Sequence, residues 1–394
     1  MTTCSDLTDY EWLTGTEAAT VLTDLAGNNT PLHTAIARLR KHFSATRAHL
    51  LIDQADLRRR ATAKFTQAHQ MFFTRVGLEQ STDEWVARYK ATRFNGHPVA
   101  DLCCGIGGDL QALAKNGPTI GVDRDPAIAH FAKTNSGVPV HPIDLATFDI
   151  KSAAALHIDP DRRPTGPRTT SLEHCEPSLD ILNELIAQVP HTAVKLAPGT
   201  DVPTDWSERC ELEWISRDRE CRQQVAWHGT LAQHPGQHRA TILPAACGLA
   251  QPPQPRTITG RPKQQIPIAP MPAHYVFDID PAVLAAKLKG VLAAEHNLKA
   301  LSASATYLTG DSAITDPALT CFAVDEVLPF RVDKLARFLR AHNIGRLEIK
   351  KRGVDVDPEK LRRDLKLRGD ICATLLITPI ASKPAAILAH RLPT

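Results

Sequence analysis

Three patterns of apolar and polar positions follow one another along the chain. Up to about residue 95, apolar positions recur every three or four residues, as in IARLRKHFSATRAHLLIDQADLRRRATAKFTQAHQMFFTR, with few β-branched residues. This spacing predicts a helical subdomain over residues 1–95. From 96 to 243, short apolar runs (PVADL, PTIGVD, VPVHPID, AALHIDP and TAVKLAP) alternate with helical stretches. That rhythm predicts a parallel sheet covered by helices, an α/β domain. ELEWIS and QQVAWHG alternate apolar and polar residues and predict a closing antiparallel hairpin. Residues 244–272 carry eight prolines and predict an extended linker with polyproline II character. In 273–394 the patterns DPAVLAAKLKGVLAAEH and VDKLARFLRAHN predict helices. GRLEIKKRG, ATLLITPI and AAILAHR predict strands, giving a C-terminal α+β domain.

With 394 residues there is room for two or three domains. The 43% hydrophobic and 23% charged content excludes a disordered or fibrous chain. No apolar run reaches the roughly 18–20 residues of a membrane span. The start MTTCSDLTDYEW is acidic and lacks the features of a signal peptide, so a cytoplasmic protein is expected. The nine cysteines are scattered, odd in number and without a C-x-x-C pair; buried thiols are expected rather than disulfides. The net charge of +3 is uneven. From Arg331 to Arg368 there are 13 Lys/Arg against 6 Asp/Glu, as in a polyanion-binding module. A solvated pair of helices accounts for that segment equally well.

The stretch DLCCGIGGDL, residues 101–110, joins a predicted strand to a predicted helix. Glycines there let backbone amides approach a ligand at the positive end of a helix. Asp123 ends the next strand, where a carboxylate can accept hydrogen bonds from both hydroxyls of a ribose. A nucleotide P-loop would need a Lys-Ser or Lys-Thr pair, which is missing. A dinucleotide loop would need a third glycine, where Leu110 stands, and Asp101 and Asp109 would flank a pyrophosphate unfavourably. S-adenosylmethionine carries a sulfonium, an ammonium, a carboxylate and a ribose, and suits this loop best. A nucleotide cofactor and a purely structural loop stay open. The pattern D-x-x-x-G-x-G resembles the first motif of class I S-adenosylmethionine-dependent methyltransferases.

Metal binding through Cys103 and Cys104 is not expected, because adjacent side chains on an extended segment point apart. Both read as small thiols packed close to the ligand. Cys221, His228, His234 and His238 match no familiar zinc spacing. Asp144 ends the third predicted strand, where it is equally suited to accept from an adenine amino group or to cap a turn. Asp159-Pro160 ends the fourth, at the carboxyl edge where doubly wound sheets bind ligands. Amino-methyltransferases acting on bases carry an [N/D]-P-P-[F/Y/W] motif there, and only its first two positions match. Arg162, Arg163 and Arg168 could hold substrate phosphates; a solvated basic loop is the alternative.

Over most of its length the chain resembles a bacterial family of class I S-adenosylmethionine-dependent methyltransferases with a C-terminal THUMP-like domain. The likeness is carried by RRRATAKFTQAHQMFFTRVGLEQST, DLCCGIGGD, DPDRR, VKLAPGTD and VLPFRVDKLARFLRAHNIGRLEIKKRGVDVDPEKLRRDLKLRGD. The family usually has alanine where Asp161 stands. The catalytic half is also similar to RNA-cap and rRNA guanine-N2 methyltransferases, which share C-G-x-G-G. The resemblance implies a Rossmann-like sheet with S-adenosyl-L-methionine as cofactor. It places Phe94, Asp101, Gly105, Gly107, Asp123 and Asp144 around the cofactor and Asp159 at the substrate; Cys103, read from its place in the loop, joins the expected cofactor site, and Pro160, read from the Asp-Pro match, the expected substrate site. THUMP domains bind tRNA in other modification enzymes. The implied function is methylation of a base in tRNA or rRNA, with Lys350, Lys351, Arg352, Arg362 and Arg363 on phosphates. A protein or small-molecule acceptor, or a non-catalytic RNA-binding protein, are the competing readings. The N-terminal helices are expected to brace the sheet.

Overall fold

The computed structural model describes residues 7–27, 32–161, 171–245, 254–303, 306–380 and 383–393. The chain packs into two compact units, Met1–Trp206 with Val225–Gln233 and Ser207–Gln224 with His234–Thr394.

The first unit begins with helices Leu7–Leu13, Thr16–Ala26, Leu32–Leu39, Ala45–Ala61, Arg75–Gln80 and Glu84–Ala91. Polar caps set several starts. Ser44 Oγ accepts from Arg47 N at 3.2 Å, Thr74 Oγ1 from Gly77 N at 2.9 Å, and Asp83 from Trp85 N at 3.0 Å. Leu13, Leu22, Leu51 and Phe72 pack with Phe131, which lies on helix Pro126–Ser136 of the sheet layer. Leu57, Phe65, Met71 and Phe73 pack with Ile106 of the glycine loop. The helices therefore share their core with the ligand loop as well as with one another.

The sheet of this unit contains β1 (Val99–Leu102), β2 (Thr119–Val122), β3 (Val140–His141), β4 (Ala155–Ile158) and β5 (Thr192–Leu196), in spatial order β3-β2-β1-β4-β5. Neighbouring strands pair in parallel, with Asp101 opposite Gly121 on one side and His157 on the other. Every residue of β1, β4 and β5 is buried, as expected of strands covered on both faces. β3 spans only two residues because Pro139 and Pro142 flank it. Strand order reverses between β1 and β4, which opens a crevice at their carboxyl ends.

In the second unit β6 (Glu211–Arg217) turns into β7 (Glu220–Trp227) through Asp218 and Arg219, both left-handed with φ of 54° and 61°. Two such residues match a tight hairpin turn. β8 (His238–Leu243) runs parallel to β6, and β9 (Arg256–Gly260) pairs antiparallel with β8. The expected proline-rich linker is corrected here, because residues 256–260 are a sheet strand. Their sequence RTITG has no proline and carries three β-branched residues in succession, and Ile258 is buried.

A seven-stranded sheet follows: β10 (Tyr275–Ile279), β11 (Lys299–Ala300), β12 (Leu308–Gly310), β13 (Leu319–Pro329), β14 (Ile344–Lys351), β15 (Ile371–Ile380) and β16 (Lys383–Arg391). Its order is β11-β12-β10-β13-β16-β15-β14. The predicted helix DPAVLAAKLKGVLAAEH is two, Pro281–Ala285 and Lys289–Glu295, interrupted at left-handed Lys287 (φ 58°). Helices Val332–Ala341 and Pro358–Leu365 bury Leu335, Leu339, Leu361 and Leu365 against β14, β15 and β16. Among the described residues no helix is long and apolar enough to cross a membrane.

Candidate functional site

The loop after β1 makes three left-handed turns in alternation: Cys103 (φ 56°), Gly105 (φ 54°) and Gly107 (φ 83°). Glycine is required at Gly107, where a Cβ would stand 3.2 Å from the Ala132 carbonyl oxygen. At Gly105 a Cβ would meet nothing within 4 Å, so this backbone faces open space. Cys103 holds its conformation despite a side chain, a strain of the kind concentrated at functional sites. The helix that follows, Leu110–Ala114, is little more than one turn, so its dipole contributes less than the sequence suggested.

The two acids of the loop have different fates. Asp109 is buried and paired, with Lys90 Nζ at 2.7 Å and Thr82 Oγ1 at 2.5 Å. Burial alone would raise its pKa, but Lys90 and the neighbouring cations outweigh it and hold the carboxyl well below the usual range. Asp109 therefore answers Lys90 rather than a ligand, which corrects the expectation that Asp101 and Asp109 both flank the ligand with their charge. Asp101 accepts from His157 Nδ1 at 2.7 Å through Oδ1. Its Oδ2 is buried without a hydrogen-bond partner. Burial raises the Asp101 pKa, with His157 opposing.

Asp123 sits at the end of β2. Its Oδ2 accepts from Gly105 N at 2.9 Å and its Oδ1 from Asp125 N at 3.1 Å. Burial raises its pKa to about 6, against the effect of these two amides. A cavity of about 420 Å³ opens beside it, lined by Cys103, Asp123, Ile143, Asp144, Phe148 and Ile181 among others. Asp144 both lines this cavity and caps the turn after β3, accepting from Ala146 N at 2.9 Å.

Comparison with known proteins gives the chemistry. Two curated relatives from Mycobacterium tuberculosis (strains CDC 1551 / Oshkosh and ATCC 25618 / H37Rv) are each 33% identical over 349 residues, covering 85% of this chain and 94% of their own. Each is named an uncharacterized S-adenosylmethionine-dependent methyltransferase. This chain belongs to the S-adenosylmethionine-dependent methyltransferases. A crystal structure from Porphyromonas gingivalis W83, of a protein assigned as a methyltransferase, shares the fold. Its TM-score is 0.78 at 21% identity, covering 96% of this chain and 99% of that one. The family model described as THUMP domain-like matches residues 319–391, from β13 to β16.

S-adenosylmethionine is thus the cofactor of this methyltransferase, and the loop chemistry fits it. A buried carboxylate oxygen without a partner is costly unless a cation or donor comes to it, and the cofactor brings both an ammonium and a sulfonium. The open face at Gly105 and the intermediate exposure of Asp123 leave room for a ligand beside them. Of the residues expected around the cofactor, Cys103, Asp123 and Asp144 line the cavity, and Phe94, Asp101, Gly105 and Gly107 do not. Phe94 is buried between His157 and Trp227, with ring centroids 6.4 and 6.2 Å away.

At the end of β4, Asp159 Oδ2 pairs with Lys195 Nζ of β5 at 2.6 Å, and Pro160 beside it is buried. Lys195 also donates to Gln80 O at 3.3 Å, and Gln80 Nε2 to Asp161 Oδ1 at 3.3 Å. Arg162, Arg163 and Arg168 lie outside the described residues. Of the cations expected on phosphate, Lys350 and Arg352 pair with buried Asp278 at 3.2 and 3.3 Å, together with Arg219 at 3.4 Å. Lys351 and Arg363 are exposed, and Arg362 is exposed and paired with Glu359 at 2.5 Å. Among the described residues one group could hold a metal, Glu295, His296 and Asp316, and the Arg256 guanidinium already lies against two of the three.

Proposed function

We propose that this methyltransferase modifies a base in RNA, tRNA or rRNA. The observation that carries the proposal is the union, within one unit, of the THUMP domain-like match and an exposed basic surface. That surface includes Arg331, Lys334, Arg337, Lys351, Lys360 and Arg363. Such a surface suits a phosphate backbone and binds it through release of counterions. Lys351, Arg362 and Arg363 are its phosphate contacts. Lys350 and Arg352 contribute through the net charge of the Asp278 cluster.

In this reading Asp123 takes the ribose hydroxyls, Asp144 the adenine amino group, and the amides at Gly105 and Gly107 the carboxylate. Cys103 packs against the cofactor, and Asp101 answers its cationic end. Bound S-adenosylmethionine supplies an electrophilic methyl group. The chain's part is positioning and charge matching. Asp159, turned by Lys195, accepts a hydrogen bond from the acceptor nitrogen and so aims that nitrogen's lone pair, while buried Pro160 fixes the backbone beside it. The test is to incubate the full chain with methyl-labelled S-adenosylmethionine and fractionated tRNA and rRNA. Label in one RNA fraction, falling as salt is added, supports the reading. No label in any RNA while cofactor binding is measurable refutes it.

A further inference from the structure

The N-terminal helices do more than brace the sheet. Lys90, near the end of helix Glu84–Ala91, is 1% exposed, and its ammonium lies 2.7 Å from Asp109 Oδ1 and 3.1 Å from His157 Nε2. A protonated lysine can only donate, so His157 Nε2 accepts and the imidazole proton stays on Nδ1. Nδ1–H then donates to Asp101 Oδ1 at 2.7 Å. Asp101 has little freedom left, and its Oδ2 remains buried without a partner. Counting formal charges, Asp101 and Asp109 are offset by one Lys90 ammonium, so the group keeps one negative charge in excess. That charge sits under the glycine loop of a protein whose cofactor is cationic.

From this geometry we infer that Lys90 and His157 are positioning residues for the cofactor. Lys90 fixes the His157 tautomer, His157 fixes the Asp101 carboxylate, and Asp101 presents one uncompensated oxygen to the methionyl end of S-adenosylmethionine. The helical subdomain thereby becomes part of the cofactor site. The inference rests on the reading of Asp101 as the contact for that cationic end.

The experiment measures binding to the full chain by calorimetry with three probes: S-adenosylmethionine, S-adenosylhomocysteine and 5′-methylthioadenosine. The last keeps the adenosine and sulfur but lacks the amino and carboxyl groups. His157→Leu should weaken the first two about tenfold and leave 5′-methylthioadenosine within about twofold of the unsubstituted protein. His157→Asn, whose amide donor occupies the place of Nδ1–H, should stay within about threefold for all three probes. If His157→Leu does not fold, His157→Gln, which lacks that donor, replaces it with the same expectation. The charge-conserving double variant Lys90→Met/Asp109→Asn should show the same selective loss. Equal loss for all three probes means that His157 is merely structural and overturns the inference, as does unchanged S-adenosylmethionine binding. Asp101→Asn separates the two levels. If it weakens S-adenosylmethionine while His157→Leu does not, the relay is wrong and the reading of Asp101 stands. If Asp101→Asn itself changes nothing, that reading falls first.

Discussion

Cofactor affinity should depend on pH through Asp123. Burial holds its pKa at about 6, two backbone amides notwithstanding. Ribose hydroxyls donate to a carboxylate far better than to a carboxylic acid, so binding requires the ionised form. At pH 5, one unit below this pKa, about one molecule in eleven is ionised, and the apparent affinity should be about tenfold weaker than at pH 7.5. The α-ammonium of S-adenosylmethionine, which titrates near pH ~8, is fully protonated around pH 6 and below, so any slope it adds falls at the alkaline end and not at the step near pH 6. The effect on stability has the opposite sign. An acid whose pKa is raised in the fold binds its proton more tightly when folded, so acid between about 6 and the ordinary 3.8 favours the fold through this residue. Weaker binding at pH 5 is therefore not unfolding through Asp123, and a melting curve without ligand distinguishes the two. Calorimetric titration at half-unit steps from pH 8 to 5, on the native protein and on Asp123→Asn, is the assay. The variant should bind weakly and show no step near pH 6. A flat profile for the native protein, or an equal step in the variant, refutes the reasoning.

Four further outcomes follow from the same geometry. Gly107→Ala should destabilise the fold by about 2 kcal/mol or more in urea unfolding, because left-handed strain adds to a Cβ 3.2 Å from the Ala132 carbonyl oxygen. Gly105→Ala, facing open space, should cost only about 1 kcal/mol but should weaken cofactor binding. Lys195→Met should leave the cofactor dissociation constant within about twofold and cut methyl transfer about tenfold or more, since its ammonium is bonded to Asp159 and Gln80 O rather than to Asp101 or Asp123. Lys351→Ala and Arg363→Ala should each lower the salt slope of RNA binding by about one, and glutamine in place of Glu359 should not.

The sheet was legible because each strand is a local signal. PVADL, AALHIDP and TAVKLAP are continuous apolar runs ended by a turn, and β1, β4 and β5 are buried along their whole length. The glycine loop was legible for the same reason, since left-handed positions at Gly105 and Gly107 leave a residue-type signature. Cys103 shares their conformation and left none. The polar network was not legible, because Lys90, Asp109 and His157 meet only in the folded chain. A signal did exist for its histidine: a histidine inside LHI is costly in a covered strand unless it finds a partner. Helix Pro358–Leu365 was legible only as half of a solvated pair, because PEKLRRDL has only two leucines, four residues apart, among charges. β9 was hidden by the prolines around it.

The most direct test of RNA modification is mass spectrometry of nucleosides from cells lacking this chain. One methylated base in tRNA or rRNA should be missing, should return with the native protein, and should not return with Asp159→Ala. An unchanged set of RNA nucleosides, with the purified protein transferring label to a protein or small-molecule fraction instead, would contradict it.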